Sequence, residues 1–104
     1  MRPLALLVGA WVACAPGLVF ADAEDFVQAC LSSSNLAQPI CECCAKKAQA
    51  ELSTDGFQFL VASLQDNEQK TTQLRSKLPF TEALKAGMFM VNAPARCAAE
   101  QAPQ

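Results

Sequence analysis

Beyond residue 21 the apolar positions recur at helical spacing, and no stretch alternates apolar and polar positions long enough for a strand. Phe26, Val27, Cys30 and Leu31 share one face of a first predicted helix. Asp22 is placed to cap it, with Glu24 and Asp25 in the first turn, where the helix dipole favours anions. Ser32-Ser33-Ser34-Asn35 ends it. Pro39 suits the first turn of a second helix, because its missing N–H needs no partner there. At about 100° per residue, Ile40, Cys41, Cys44, Ala45, Ala48 and Leu52 cover an arc of about 140° on that helix. Glu42, Lys46 and Gln49 fill the opposite side, and Cys43 falls at the polar edge.

Ser53-Thr54-Asp55 offers caps for a third helix, on which Phe57, Leu60, Val61 and Leu64 align and Phe59 points elsewhere. Asp66 and Gln69 resemble a capping pair for a fourth helix, whose thin stripe of Leu74 and Leu78 predicts loose surface packing. Pro79 stops it. Thr81 can cap a fifth helix with Leu84, Met88 and Val91 in line and Ala83, Gly87 and Met90 beside them. Ala93-Pro94 is expected to close that helix and lead to Cys97 in a short last turn, with the tail from Gln101 frayed. The expected fold is all-α: a small bundle of four to five short helices, in one domain spanning residues 22–104.

Residues 1–21 read differently. Arg2 gives a positive start, Leu4 to Ala13 an apolar run, Pro16-Gly17 a break, and Val19 and Ala21 the small residues of a cleavage site. These features predict a signal peptide cleaved after Ala21, and periplasmic or secreted localisation. The apolar run falls short of the roughly 20 residues of a membrane span, so no stable membrane insertion is expected after cleavage. A lipoprotein reading, with Cys14 lipidated, fits Ala13 and Val12 but not Trp11.

Composition narrows the chemistry. With no His among 104 residues, neither a Ser-His-Asp triad nor an imidazole metal ligand can form. A formal net charge of −2, one unit more negative without Arg2, offers no footprint for nucleic acid. Four glycines in no phosphate-binding spacing exclude a P-loop or dinucleotide turn. Glu24/Asp25 and Asp66/Glu68 read as helix-start carboxylates, and Lys46-Lys47 as a solvated face.

The cysteines carry what chemistry remains. Of six, Cys14 lies in the export segment, leaving Cys30, Cys41, Cys43, Cys44 and Cys97. This odd number implies two disulfides and one thiol. Cys30–Cys41 staples neighbouring helices. For Cys97, helical phasing selects core-facing Cys44, with Cys43–Cys97 as the alternative and Cys30–Cys44 with Cys41–Cys97 as a third arrangement. Cys43 is then the free, reactive thiol near Lys46 and Lys47, able to bridge two chains. The rival reading takes Cys41, Cys43 and Cys44 as soft ligands for Cu(I) or Zn, or as a thiol-redox cluster, against the absence of a two-residue Cys-Cys gap.

A non-enzymatic exported binding or accessory protein follows as the expectation, with no cofactor and an unidentified protein partner. Its expected working surface is the apolar material left uncovered, with Phe59, Phe80 and Phe89 as candidates.

Overall fold

Four short connections separate the helices of the described residues. A computed structural model describes residues 20–101, and among these it contains five helices and no strand. The signal-peptide and lipoprotein readings rest on residues outside that range, apart from Phe20 and Ala21, and so do residues 102–104.

Helix α1 (Ala23–Ser33) begins at Asp22, whose side chain accepts from the Asp25 N–H while Asp25 accepts from the Asp22 N–H. This reciprocal pair satisfies two of the otherwise orphaned donors. Helix α2 (Gln38–Glu51) carries Pro39 in its first turn as expected. Helix α3 (Thr54–Leu64) is capped by Ser53, whose hydroxyl accepts from the Gly56 N–H at 3.0 Å. Helix α4 (Glu68–Lys77) starts from Asn67, which accepts from Lys70 N–H. Asp66 therefore does not cap it. Asp66 terminates α3 instead, at φ 60°, while the Asn67 N–H reaches back to the Ala62 carbonyl at 3.0 Å. That is a Schellman closure with a non-glycine in the left-handed position.

Helix α5 (Phe80–Gln101) departs most from expectation. It runs 22 residues and passes through Pro94 without ending, and Thr81 lies inside it. An interior proline removes one ladder bond and crowds the carbonyl four residues back. Downstream, Cys97 is covalently tied to α2, Arg96 bonds Glu51 at 2.9 Å and Glu100 pairs with Lys47 at 2.7 Å. These partners hold the last turns in line.

α1 and α2 form a hairpin, α3 packs against α1, α4 and α5, and α2 packs against α5. α3 is buried continuously from Gly56 to Ala62, Phe59 included, because neighbours cover it on both sides. The amphipathic reading of α3 assumed one covered face; α4 supplies the second, with Arg75 lying 5.7 Å above the Phe59 ring. Fully buried Phe26 is the centre of the core, stacked on Phe57 at 5.9 Å and edge-on to Phe89 at 6.5 Å. α4 contributes only Leu74 to the buried set and packs chiefly on α3, in keeping with its thin stripe. No helix among the described residues is long and apolar enough to cross a membrane.

Candidate functional site

The start of α2 gathers the sulfur chemistry. Cys41 and Cys44 face the core and are fully buried, as phasing predicted, and Cys43 is half-buried. Cys41 is bonded to Cys30 of α1, with Cα atoms 5.8 Å apart. The second bridge joins Cys43, not Cys44, to Cys97, with Cα atoms 5.9 Å apart. This corrects the expected Cys44–Cys97 pairing. Cys44 is the free cysteine, and it is buried.

The reason lies in where α5 docks. Cys43, Lys47 and Glu51 recur at four-residue spacing and form a ridge along one flank of α2. α5 lies against this ridge, with Cys97 bonded to Cys43, Glu100 paired with Lys47 and Arg96 with Glu51. Gln101 donates to the Pro39 carbonyl at one end and Glu82 accepts from Ser53 at the other, so the two helices run antiparallel. The polar edge of α2 is thus an interface, where an isolated-helix reading had left it to solvent. In this pairing Cys43 is not the free thiol.

Cys44 remains close to the bridge it does not join. Its thiol lies 3.8 Å from Cys97 Sγ, within hydrogen-bonding distance for sulfur. Burial pushes its pKa up, opposed by the positive charges of Lys47 and Arg96. Cys43 opens on the other side to a shallow groove of about 470 Å³ shared with Lys46, Lys47 and Glu100. Glu100 Oε1 stands 4.0 Å from Cys43 Sγ.

A three-thiolate metal site would need Cys41, Cys43 and Cys44 reduced together, but two of these sulfurs are in disulfides. Among the described residues no cluster of three or more His, Cys, Asp or Glu is arranged to hold a metal ion. The two disulfides suggest an oxidising environment.

The other notable surface is on α5. Phe80, Leu84, Met88 and Val91 are 78, 53, 47 and 68 % exposed. At about 100° per residue they span an arc of about 80°, opposite the buried Ala86, Phe89, Ala93 and Cys97. The apolar line of Leu84, Met88 and Val91 read from the sequence is the uncovered side of the helix. Of the three phenylalanines expected at the surface, only Phe80 is exposed, while Phe59 and Phe89 are buried. The sequence held a signal for the correct phase. A bridged Cys97 must face α2, and stepping back four, eight and eleven residues from it reaches Ala93, Phe89 and Ala86.

At the N-terminal end of α5, Glu82 Oε1 accepts from the Ser53 N–H at 3.4 Å. Hydrogen bonding from Ser53, through side chain and backbone, holds the Glu82 carboxyl below its ordinary range. Arg96, by hydrogen bonding, does the same to Glu51.

The chain matches no protein-family model, no curated protein and no solved structure, so its own geometry is what bears on function.

Proposed function

We propose that this chain is a non-enzymatic exported binding or accessory module, working in the periplasm or as a secreted protein. In this reading the two disulfides hold a small helical scaffold, and the uncovered face of α5 contacts a protein partner. The observation that carries the reading is the continuous stripe of Phe80, Leu84, Met88 and Val91. Scattered exposed apolar residues are ordinary, but four in register along about 16 Å of one helix are not. Such a stripe matches the i, i+4, i+8, i+11 anchors that one amphipathic helix offers to another. The net negative charge disfavours an anionic lipid surface as the occupant. The absence of His from the sequence and the enclosure of Cys44 support a binding role over catalysis.

The export half of the proposal is tested by intact mass of protein recovered outside the cytoplasm, which should begin at Asp22. A lipid adduct on Cys14 would overturn it in favour of membrane anchoring. The binding half is tested with a photo-crosslinking residue at position 88 in exporting cells. A discrete adduct with a second protein is expected, lost when Leu84→Glu and Val91→Glu are combined in a chain whose unfolding midpoint is unchanged. Adducts only with lipid or only with a second copy of this chain would overturn a heterologous protein partner, as would no adduct at all.

A further inference from the structure

Three sulfurs meet where α2 and α5 cross, and only two are bonded. Cys43 and Cys97 form the bridge, and the Cys44 thiol stands 3.8 Å from Cys97 Sγ. Because Cys43 and Cys44 are neighbours in sequence, Cys97 lies within reach of both without any helix being displaced. We propose that this corner is an internal thiol–disulfide exchange centre, in which Cys44 displaces Cys43 from Cys97 and so delivers a reactive thiol to the surface groove. This goes beyond the binding reading and does not depend on it.

The step balances within the chain. Cys44 gives up its proton, and its thiolate attacks Cys97 Sγ. The Cys44–Cys97 bond forms and the Cys43–Cys97 bond breaks. The electron pair of the broken bond leaves on Cys43 Sγ, which takes up a proton. One disulfide and one thiol are present before and after, so no outside oxidant or reductant is needed.

What changes is access. In the pairing observed, the free sulfur is Cys44, fully buried and out of reach of reagents. In the alternative pairing the free sulfur is Cys43, half-buried and lining the groove with Lys46 and Lys47. Those cations favour a thiolate there, while Glu100, paired to Lys47 at 2.7 Å, opposes it. Burial holds Cys44 protonated and makes the exchange slow at neutral pH. Lys47 on α2 and Arg96 on α5 oppose that burial in part. The alternative pairing serves as a covalent capture site: the Cys43 thiolate would attack a small disulfide-bearing molecule reaching the groove, bonding one half of it and releasing the other half as a thiol.

The test is alkylation of native, unreduced protein with iodoacetamide at mildly alkaline pH, followed by fragment mass spectrometry that separates Cys43 from Cys44. One alkyl group on Cys43, with Cys44 joined to Cys97, is the expected product. In Cys44→Ala, which lacks the attacking sulfur, labelling of Cys43 should disappear. Label on Cys44 with the Cys43–Cys97 bridge intact would mean simple opening of the core and would overturn the exchange. So would a native fold that takes up no label, or Cys43 label that persists in Cys44→Ala. Should Cys44→Ala fail to fold, Cys43→Ala decides the matter. In that variant Cys44 and Cys97 should be found joined, and finding both as free thiols in the oxidised protein would overturn the proposal.

Discussion

Asp66 sits at φ 60°, a conformation in which a side chain crowds its own carbonyl and glycine does not. Its place in the closing turn of α3 is fixed by the Asn67-to-Ala62 bond, so the strain is local. Asp66→Gly should therefore raise stability by roughly 0.5–1 kcal/mol, read as a higher urea midpoint at unchanged slope. A lower midpoint would mean that the Asp66 side chain contributes more than its backbone costs. Gln58 poses a different problem, because it is the one buried polar residue among the described residues. Its amide exchanges two 2.8 Å hydrogen bonds with the backbone of Ala21, one in each direction. Cleavage after Ala21 would remove that partner. A chain starting at Asp22 should consequently be less stable than one starting at Phe20 by about 1–2 kcal/mol. Equal midpoints would show that water replaces Ala21 at no cost. Residue by residue, the sequence revealed what a single side chain dictates: Asp22 and Ser53 as caps, Pro39 at a helix start, Cys30 opposite Cys41. It could not reveal Gln58's partner, which lies 37 positions away.

Among the elements, the spacing of apolar residues located all five helices but not which flank of each is covered. That depends on neighbours, and α2, α3 and α5 are the cases where a second neighbour changed the answer. α5 also shows tertiary contacts overriding a local stop. Pro94 lies in its interior, between Ala93 and Cys97, both buried. Since an interior proline costs about 3 kcal/mol and its rigidity in the unfolded chain returns part of that, Pro94→Ala should stabilise by roughly 1–2 kcal/mol. No gain in the urea midpoint would show that the helix is adapted to the break. The same helix is held at both ends by carboxylates. Glu82 bonds Ser53 and Glu51 bonds Arg96, and both carboxyls lie below their ordinary 4.5. A group whose pKa is lowered by folding stabilises the fold above its unfolded pKa and loses that contribution as pH falls through the folded value. The thermal midpoint should thus hold steady down to pH 4.5 and decline below it, by a modest amount because both groups are exposed. Glu51→Gln and Glu82→Gln together should flatten that decline. An unchanged acid profile in the double variant would assign the loss to other carboxylates.

Across the whole molecule, both disulfides start within the first half of α2 and reach out in opposite directions. Cys30–Cys41 spans 11 residues and ties α1 back; Cys43–Cys97 spans 54 and encloses α3 and α4 before it fixes the far end of α5. In a domain this small, hydrophobic burial leaves a narrow margin to which such links add. In the chain-entropy model the short loop contributes about 3 kcal/mol and the long one about 4. The long bridge also secures the turns beyond Pro94, where two surface ion pairs, Arg96–Glu51 and Lys47–Glu100, and a 3.4 Å hydrogen bond from Gln101 to the Pro39 carbonyl also tie the helix to α2. Exposed pairs of that kind are worth at most about 1 kcal/mol each. Removing both cysteines of a bridge avoids stray pairing with Cys44, so the comparison should use double variants. Cys43→Ala with Cys97→Ala should lose more stability than Cys30→Ala with Cys41→Ala. The former loss should appear first as hydrogen exchange in residues 94–101, with the α1–α2 hairpin still protected. Uniform exchange over all five helices would show instead that the bundle unfolds as a single unit and that the end of α5 is no weaker than the rest.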